Sequence, residues 1–233
     1  MVRAVIFDLD NTLVDFMRMK ENAVDAALDS MIDAGLKLDR ATAKKKVYAI
    51  YEEEGIEDQT VFDKFFLREF NRIDYKIHAA GVVGYRRAKL ASMVLYPHIN
   101  LTLIELAKRG FKLAVVSDAP RKQVWLRLCE LNLHHIFHVV IAFDDTGEKK
   151  PSPAPFAKAL SLLGVESSEA IMVGDWAERD VTGAKKIGMK TVFARYGNLF
   201  GTVHSGADYE IDDIIELLDI VDKENAECRN RHS

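Results

Sequence analysis

Cysteine is scarce: two among 233 residues, Cys129 and Cys228. They match no zinc-ligand spacing and make a poor disulfide framework, so they read as unrelated thiols in a reducing compartment. An excess of basic charge is missing too. Thirty-two Lys and Arg stand against 36 Asp and Glu, for a formal net charge of −4. That balance offers no cationic surface for a phosphate backbone and argues against a dedicated DNA or RNA binder. Long apolar runs are also absent. The stretch in MVRAVIFDLD is too short for a signal peptide, and Asp8 interrupts it. Runs such as Val139–Phe143 are strand-sized, far below the roughly 20 residues a membrane helix takes. A cytoplasmic protein without a membrane partner is expected. Gln occurs only at Gln59 and Gln123, a scarcity in keeping with a thermophilic source.

What the chain does have is core. Hydrophobic residues make up 48%, and the length suits one large domain or a core with a modest insertion, with no need of staples. The ordinary composition, 29% charged, excludes collagen, coiled-coil rods and disorder.

From about residue 100 a helical pattern, a Gly and a β-rich run recur. Leu101–Arg109 stops at Gly110 before KLAVVS, Ala154–Leu163 at Gly164 before AIMVG, and Val181–Ile187 at Gly188 before TVFAR. A Gly just past a helix supplies the left-handed residue of a C-terminal cap. RAVIF (3–7) and HVVIAF (138–143) are further strands of the same kind. Apolar runs without alternation indicate strands covered on both faces, and their alternation with helices predicts a doubly wound parallel sheet.

The stretch 16–94 differs. It has no clear β-run, and its spacing is helical, as in Ala23, Ala26, Ala27 and Met31, then Val61, Phe62, Phe65, Phe66 and Phe70. GIEDQT (55–60) and DYKIHAAG (74–81) read as breaks between helices. A crossover this long is no loop. A helical insertion packed on the sheet is predicted, with the Phe residues as its core. The chain re-enters the α/β core near Tyr96-Pro97. EIDDIIELLDIV reads as a short strand and a helix, and the tail AECRNRHS as frayed.

Chemistry concentrates at predicted strand ends. Asp8 and Asp10 stand two apart, so in extended backbone they point the same way, at the carboxyl edge where open α/β sheets bind ligands. Two carboxylates that close need a cation or a shared proton. With a metal present, Asp8 stays ionised as a nucleophile and Asp10 is free to alternate between acid and base. The alternative is a surface turn rich in Asp and Asn. Ser117 ends KLAVVS; its hydroxyl and the amides of Asp118-Ala119-Pro120 suit a phosphate oxygen, or the Ser caps the next helix. Lys150 precedes Pro151-Ser152-Pro153, where Ser152 and Pro153 explain a helix start but not the Lys. A Lys there neutralises a phosphoryl group. Gly174-Asp175 closes another strand, adding a third carboxylate suited to Mg²⁺. Asp180 either caps the next helix or orients the metal and lysine shell.

In their order, FDLDNTLV, VVSDAP, KKPSPAPF, MVGDWAERD and GAKKIGMKTVFAR resemble the haloacid dehalogenase-like (HAD) hydrolase superfamily. The resemblance implies a Rossmann-like α/β core, residues 1–15 and 95–233, with 16–94 as a helical cap inserted after the first strand. It implies that Asp8 attacks phosphorus, that Asp10 protonates the leaving oxygen and then activates water, and that Ser117, Asp118 and Lys150 bind the phosphoryl group. It further implies Mg²⁺ held by the Asp8 carboxylate, the Asp10 main-chain carbonyl and Asp175, with Asp180 supporting this shell.

The implied activity is Mg²⁺-dependent hydrolysis of small-molecule phosphate esters, by a monomer or homodimer. Dehalogenases of the superfamily lack the acid/base aspartate and need no Mg²⁺, so Asp10 and Asp175 disfavour carbon–halogen cleavage. Phosphomutases share all four motifs. A non-catalytic phospho-ligand sensor has no need for Asp10, and a receiver domain would lack the insertion. Trp176 is bulkier than the residue expected after the motif aspartate; it narrows the entrance or packs under the cap. Phe16, Met17, Arg18, Tyr85, Arg86 and Arg87 are candidate cap or hinge contacts. His98, His134 and His135 have no partner at metal-ligand spacing and read as surface or satisfied histidines.

Overall fold

A computed structural model describes residues 1–230. The chain divides into two compact units, one of residues 1–15 with those from Leu95 onward, the other Phe16–Val94. In the first, β1 (Ala4–Phe7), β2 (Lys112–Val116), β3 (Val139–Ile141), β4 (Ala170–Gly174), β5 (Lys190–Ala194) and β6 (Tyr209–Ile211) form one sheet in the order β3-β2-β1-β4-β5-β6. Every neighbouring pair is parallel, as the helix–Gly–strand alternation predicts. Helices numbered along the chain are α1 (Phe16–Asp33), α2 (Arg40–Glu54), α3 (Val61–Phe70) and α4 (Tyr75–Ser92) in the inserted unit. In the sheet unit they are α5 (Ile99–Lys108), α6 (Arg121–Glu130), α7 (Phe143–Thr146), α8 (Ala154–Leu163), α9 (Thr182–Lys185) and α10 (Leu217–Asn230). None is long and apolar enough to cross a membrane, among the described residues.

β1 and β4 are buried at every residue, which is why their sequences show no polar alternation. The period of two survives in the packing. Ala4, Ile6, Ala114, Val116, Ala170 and Met172 share one cluster with Phe156, Ala159, Leu160 and Leu163 of α8. Each large side chain sealed there contributes about 1.5–3 kcal/mol. Asp8 is the next member of the Ala4–Ile6 series. The glycines read as helix stops, Gly110, Gly164 and Gly188, all take left-handed φ.

In the inserted unit, Val24, Leu28 and Met31 of α1 pack with Val47, Ile50, Phe62, Phe65 and Phe66. The Phe-rich stripe is core except at Phe70, which lies at its exposed margin. Lys20 is buried, donating to Tyr85 Oη at 3.1 Å with its ammonium 4.2 Å from the Tyr51 ring centroid.

Four expectations need correction. DYKIHAAG is helical from Tyr75 on, because the Asp74 carboxylate caps α4 by accepting from the amides of Lys76 and Ile77. HVVIAF is strand only over Val139–Ile141; the Asp145 carboxylate accepts from Ala142 N at 2.8 Å and turns the chain into α7. The helix expected over Val181–Ile187 is a π-helical turn, Ala177–Val181, followed by α9. Of the tail expected to fray, residues 226–230 belong to α10; Arg231–Ser233, the rest of that stretch, lie outside the described residues.

Candidate active site

Because all strands are parallel, their carboxyl ends share one edge. β1 lies between β2 and β4, with Phe7 level with Val115 and Val173. Asp8 is therefore level with Val116 and Gly174, and Ser117 and Asp175 stand one residue beyond it on either side. Chain connections diverge to opposite sides of β1, the topology that opens a ligand crevice at a sheet edge.

Lys150, in the segment between α7 and α8, joins these ends. Its ammonium donates to Asp8 Oδ1, to Asp180 Oδ1 at 2.6 Å and to the Val116 carbonyl at 3.1 Å. All three donor positions of the ammonium are thus used, in a setting where Lys150, Asp8 and Asp180 are all buried. Asp175 Oδ1 accepts from Thr12 Oγ1 at 2.9 Å, and Tyr196 Oη donates to the Thr12 carbonyl at 2.9 Å. Asp8, Asp175 and Asp180 each offer a carboxylate oxygen within 4.8 Å of the others. Side-chain donors take one oxygen each of Asp8 and Asp175. Both oxygens of Asp180 are engaged, by Lys150 and by the Trp176 amide at 3.1 Å. Asp180 thus ties down the π-helical turn as an acid of its first turn and holds the lysine at once, without capping α9, whose N-cap is Val181.

Asp10 is placed differently. The strand ends at Phe7 and the backbone turns at Asn11, with φ of 61°, so the extended-chain argument does not run as far as Asp10. Its Oδ2 accepts from Arg127 Nη1 at 2.9 Å. Ser117 does not cap α6; its hydroxyl accepts from Ala119 N at 3.2 Å within the turn. Asp118 Oδ1 accepts from Lys150 N at 2.9 Å and Oδ2 from Arg179 Nη1 at 3.0 Å. The Arg179 guanidinium also lies 3.6 Å from the Trp176 ring centroid, and Phe200 stacks on Trp176 at 4.0 Å. Of the histidines, His98 pairs with Asp213 at 2.7 Å, and His134 and His135 rest ring against ring at 3.9 Å.

Residues 5–194 match the family model for haloacid dehalogenase-like hydrolases. This chain is a haloacid dehalogenase-like hydrolase. A glyceraldehyde 3-phosphate phosphatase of Pyrococcus furiosus is 34% identical over 235 residues, covering 100% of this chain and 98% of that protein. A phosphoglycolate phosphatase of Aquifex aeolicus is 33% identical over 196 residues, 84% of this chain and 86% of that one. The crystal structure of a HAD phosphatase from Thermococcus onnurineus superposes with a TM-score of 0.70 at 31% identity, covering 94% of this chain and 98% of that one.

In this hydrolase the carboxylates outnumber the ammonium, and the electrostatics follow. Burial pushes the Asp8 carboxyl up, Lys150 pulls it back, and Asp180, Asp175 and Asp10 raise it again. Burial, then Asp180, raises Asp175 to about 7 despite the Thr12 hydrogen bond. Burial works against the Lys150 charge, yet Asp180 and Asp8 more than offset it and hold the ammonium protonated. Three carboxylates facing one ammonium leave a negative excess that a divalent cation with oxygen ligands balances. The donor set therefore fits Mg²⁺.

Two glycines allow this closeness. A Cβ on Gly174 would stand 2.3 Å from the Asp180 carboxyl carbon, and one on Gly197 would stand 1.8 Å from the Asn11 carbonyl oxygen. Gly174→Ala is expected to destabilise the protein by about 1–3 kcal/mol through overpacking. It should lower turnover about 100-fold, because Asp180 and with it Lys150 must move. Urea denaturation and p-nitrophenyl phosphate hydrolysis read both effects; an undisturbed variant would show that Asp180 has room to yield. Sequence reasoning missed Thr12, Tyr196 and Arg127. Thr12 lay inside a quoted motif, and Arg127 had a signal of its own, sharing the inward stripe of α6 with Val124 and Leu128.

Proposed function

We propose that this hydrolase is a Mg²⁺-dependent phosphatase of small phosphate monoesters, working through an aspartyl phosphate on Asp8. The observation that carries the reading is the contact of a buried lysine ammonium with Asp8, inside a cluster of three carboxylates at the carboxyl edge of the sheet. Phosphoryl transfer depends on positioning and charge neutralisation, and this arrangement supplies both.

Asp8 attacks phosphorus, the ester P–O bond breaks, and the leaving oxygen takes the electron pair and a proton from Asp10. Water then attacks phosphorus and gives a proton to Asp10. The bond from phosphorus to Asp8 breaks, its electron pair returns to the Asp8 carboxylate, and inorganic phosphate leaves. Ser117 and the amides of the Asp118 turn hold the phosphoryl oxygens, and Lys150 exchanges one of its three present acceptors for the ester and neutralises its charge. Asp8, the Asp10 main-chain carbonyl and Asp175 would hold Mg²⁺, with Asp180 in support; when bound, the ion neutralises charge on the transferring group. Residues 16–94 would act as a cap that excludes water and sorts substrates. The setting we infer is a reducing, cytoplasmic one, the reading that two cysteines at a spacing unsuited to a disulfide framework support.

Replacing Mg²⁺ with EDTA is expected to lower p-nitrophenyl phosphate hydrolysis at least about 100-fold, since the ion contributes several kcal/mol. Equal rates would defeat the proposal. The names of the relatives favour short phosphorylated acids and aldehydes, so phosphoglycolate and glyceraldehyde 3-phosphate head the panel, with released phosphate as the readout.

A further inference from the structure

Arg127 is almost fully buried, with its side chain 3% exposed. It lies on the inward face of α6 with Val124 and Leu128, where a leucine would pack at no electrostatic cost. A guanidinium taken from water costs several kcal/mol unless it is paired. Among its partners is Asp10, whose Oδ2 accepts from Nη1 at 2.9 Å. α6 starts four residues after Ser117, so one strand-to-helix unit delivers both the Ser117 turn and the cation that meets Asp10. Lys150 has no such contact with Asp10: its three donors go to Asp8, Asp180 and Val116. The two aspartates two residues apart are therefore sorted between two buried cations.

We propose that Arg127 is the positioning residue for the proton-transferring aspartate, fixing both the direction of the Asp10 carboxyl and which of its oxygens carries the proton. This rests on the reading of Asp10 as acid and base given above. A guanidinium has five N–H donors, no acceptor, and does not lose its proton. Oδ2, accepting from Arg127, is thereby kept as an acceptor, and a proton held by Asp10 sits on Oδ1. In the first displacement that proton passes from Oδ1 to the departing ester oxygen, which keeps the electron pair of the broken P–O bond. In the second, Oδ1 receives the proton of the attacking water. Arg127 touches no reacting atom; it prevents the carboxyl from presenting the wrong, unprotonated oxygen.

The test uses leaving groups that differ in their need for a proton. p-Nitrophenolate departs unprotonated, whereas an alkoxide needs the acid. For Arg127→Met, kcat/KM, which covers the chain of steps through leaving-group departure, is expected to fall about 10- to 100-fold more on glycerol phosphate than on p-nitrophenyl phosphate, within the range of general acid catalysis. Asp10→Asn is expected to show the same bias, and Arg127→Met to add nothing to the bias in the Asp10→Asn background. Arg127→Lys keeps the charge without the fork and is expected to retain the fold while still favouring the aryl ester, which secures the test if the Met variant unfolds. Equal losses on both esters in Arg127→Lys and Arg127→Met, with the bias present in Asp10→Asn, would overturn the role of Arg127 alone. No bias in Asp10→Asn would overturn the reading of Asp10 as the acid.

Discussion

Asp8→Asn is expected to lower hydrolysis of p-nitrophenyl phosphate by at least about 10³-fold, the scale on which removal of a covalent nucleophile acts. A good leaving group does not rescue it, because the missing group is the attacking oxygen and not the acid. The same substitution removes one of three buried carboxylates around Lys150. Burial and its acidic neighbours make ionised Asp8 unfavourable in the metal-free protein, while Lys150 keeps Asp180 and the Val116 carbonyl as partners. Thermal stability in EDTA is therefore expected to hold or rise, the signature of a residue kept for chemistry at the expense of stability. Acid quenching during turnover should trap a phosphorylated protein for the wild type and none for the variant. A variant that retains a tenth of the activity, or an equal yield of phosphoprotein, would place the nucleophile elsewhere.

Much of this architecture was legible because it is written in local chemistry. Apolar strand runs, helix stops at Gly110, Gly164 and Gly188, and acids or a lysine just past predicted strands all act within a few residues, and parallel strands bring such ends to one edge. Distances along the chain were no obstacle: Asp8 and Lys150 lie 142 residues apart in sequence and touch. What escaped depended on partners that local spacing does not reveal. Asp74 looked like a loop acid until its carboxylate was seen capping α4. Asp10 seemed to follow Asp8 by the period of a strand, but the turn at Asn11 redirects the backbone. Arg127 is an ordinary helical residue by composition; only its phase with Val124 and Leu128 marks it, and a phase says that a residue is buried, not what it meets. Trp176 illustrates the same limit. Its bulk was visible, but the stack with Phe200 and the overlying Arg179, which joins it through Asp118 to the Lys150 backbone, belongs to tertiary structure.

The second large effect concerns stability. Lys150→Met fills the same space without charge, and it leaves Asp8 and Asp180 facing each other with no cation between them. Removing one partner of a buried ion pair costs about 3–5 kcal/mol, because the other charge stays buried and uncompensated. The loss depends on pH, with a definite sign. Burial and Asp180 already push the Asp175 carboxyl up to about 7 in the folded protein, above its unfolded value of about 3.9. A group raised in this way binds its proton more tightly when folded, so its contribution is complete below about pH 4 and fades as pH rises through about 7. Lys150 pulls both Asp8 and Asp175 downward. Without it both should move higher, and the window of falling stability should extend further into the alkaline range. Urea denaturation in EDTA should therefore show a larger deficit for Lys150→Met at pH 8 than at pH 5.5, where protons take the place of the missing ammonium. Adding Mg²⁺ at pH 8 should restore part of the stability, since a divalent ion also balances the carboxylates. Turnover should stay low, because the phosphoryl group still lacks its lysine. A deficit equal at both pH values would mean that Lys150 stabilises by packing its stem, and that the negative excess assigned to this cluster is already relieved by other means.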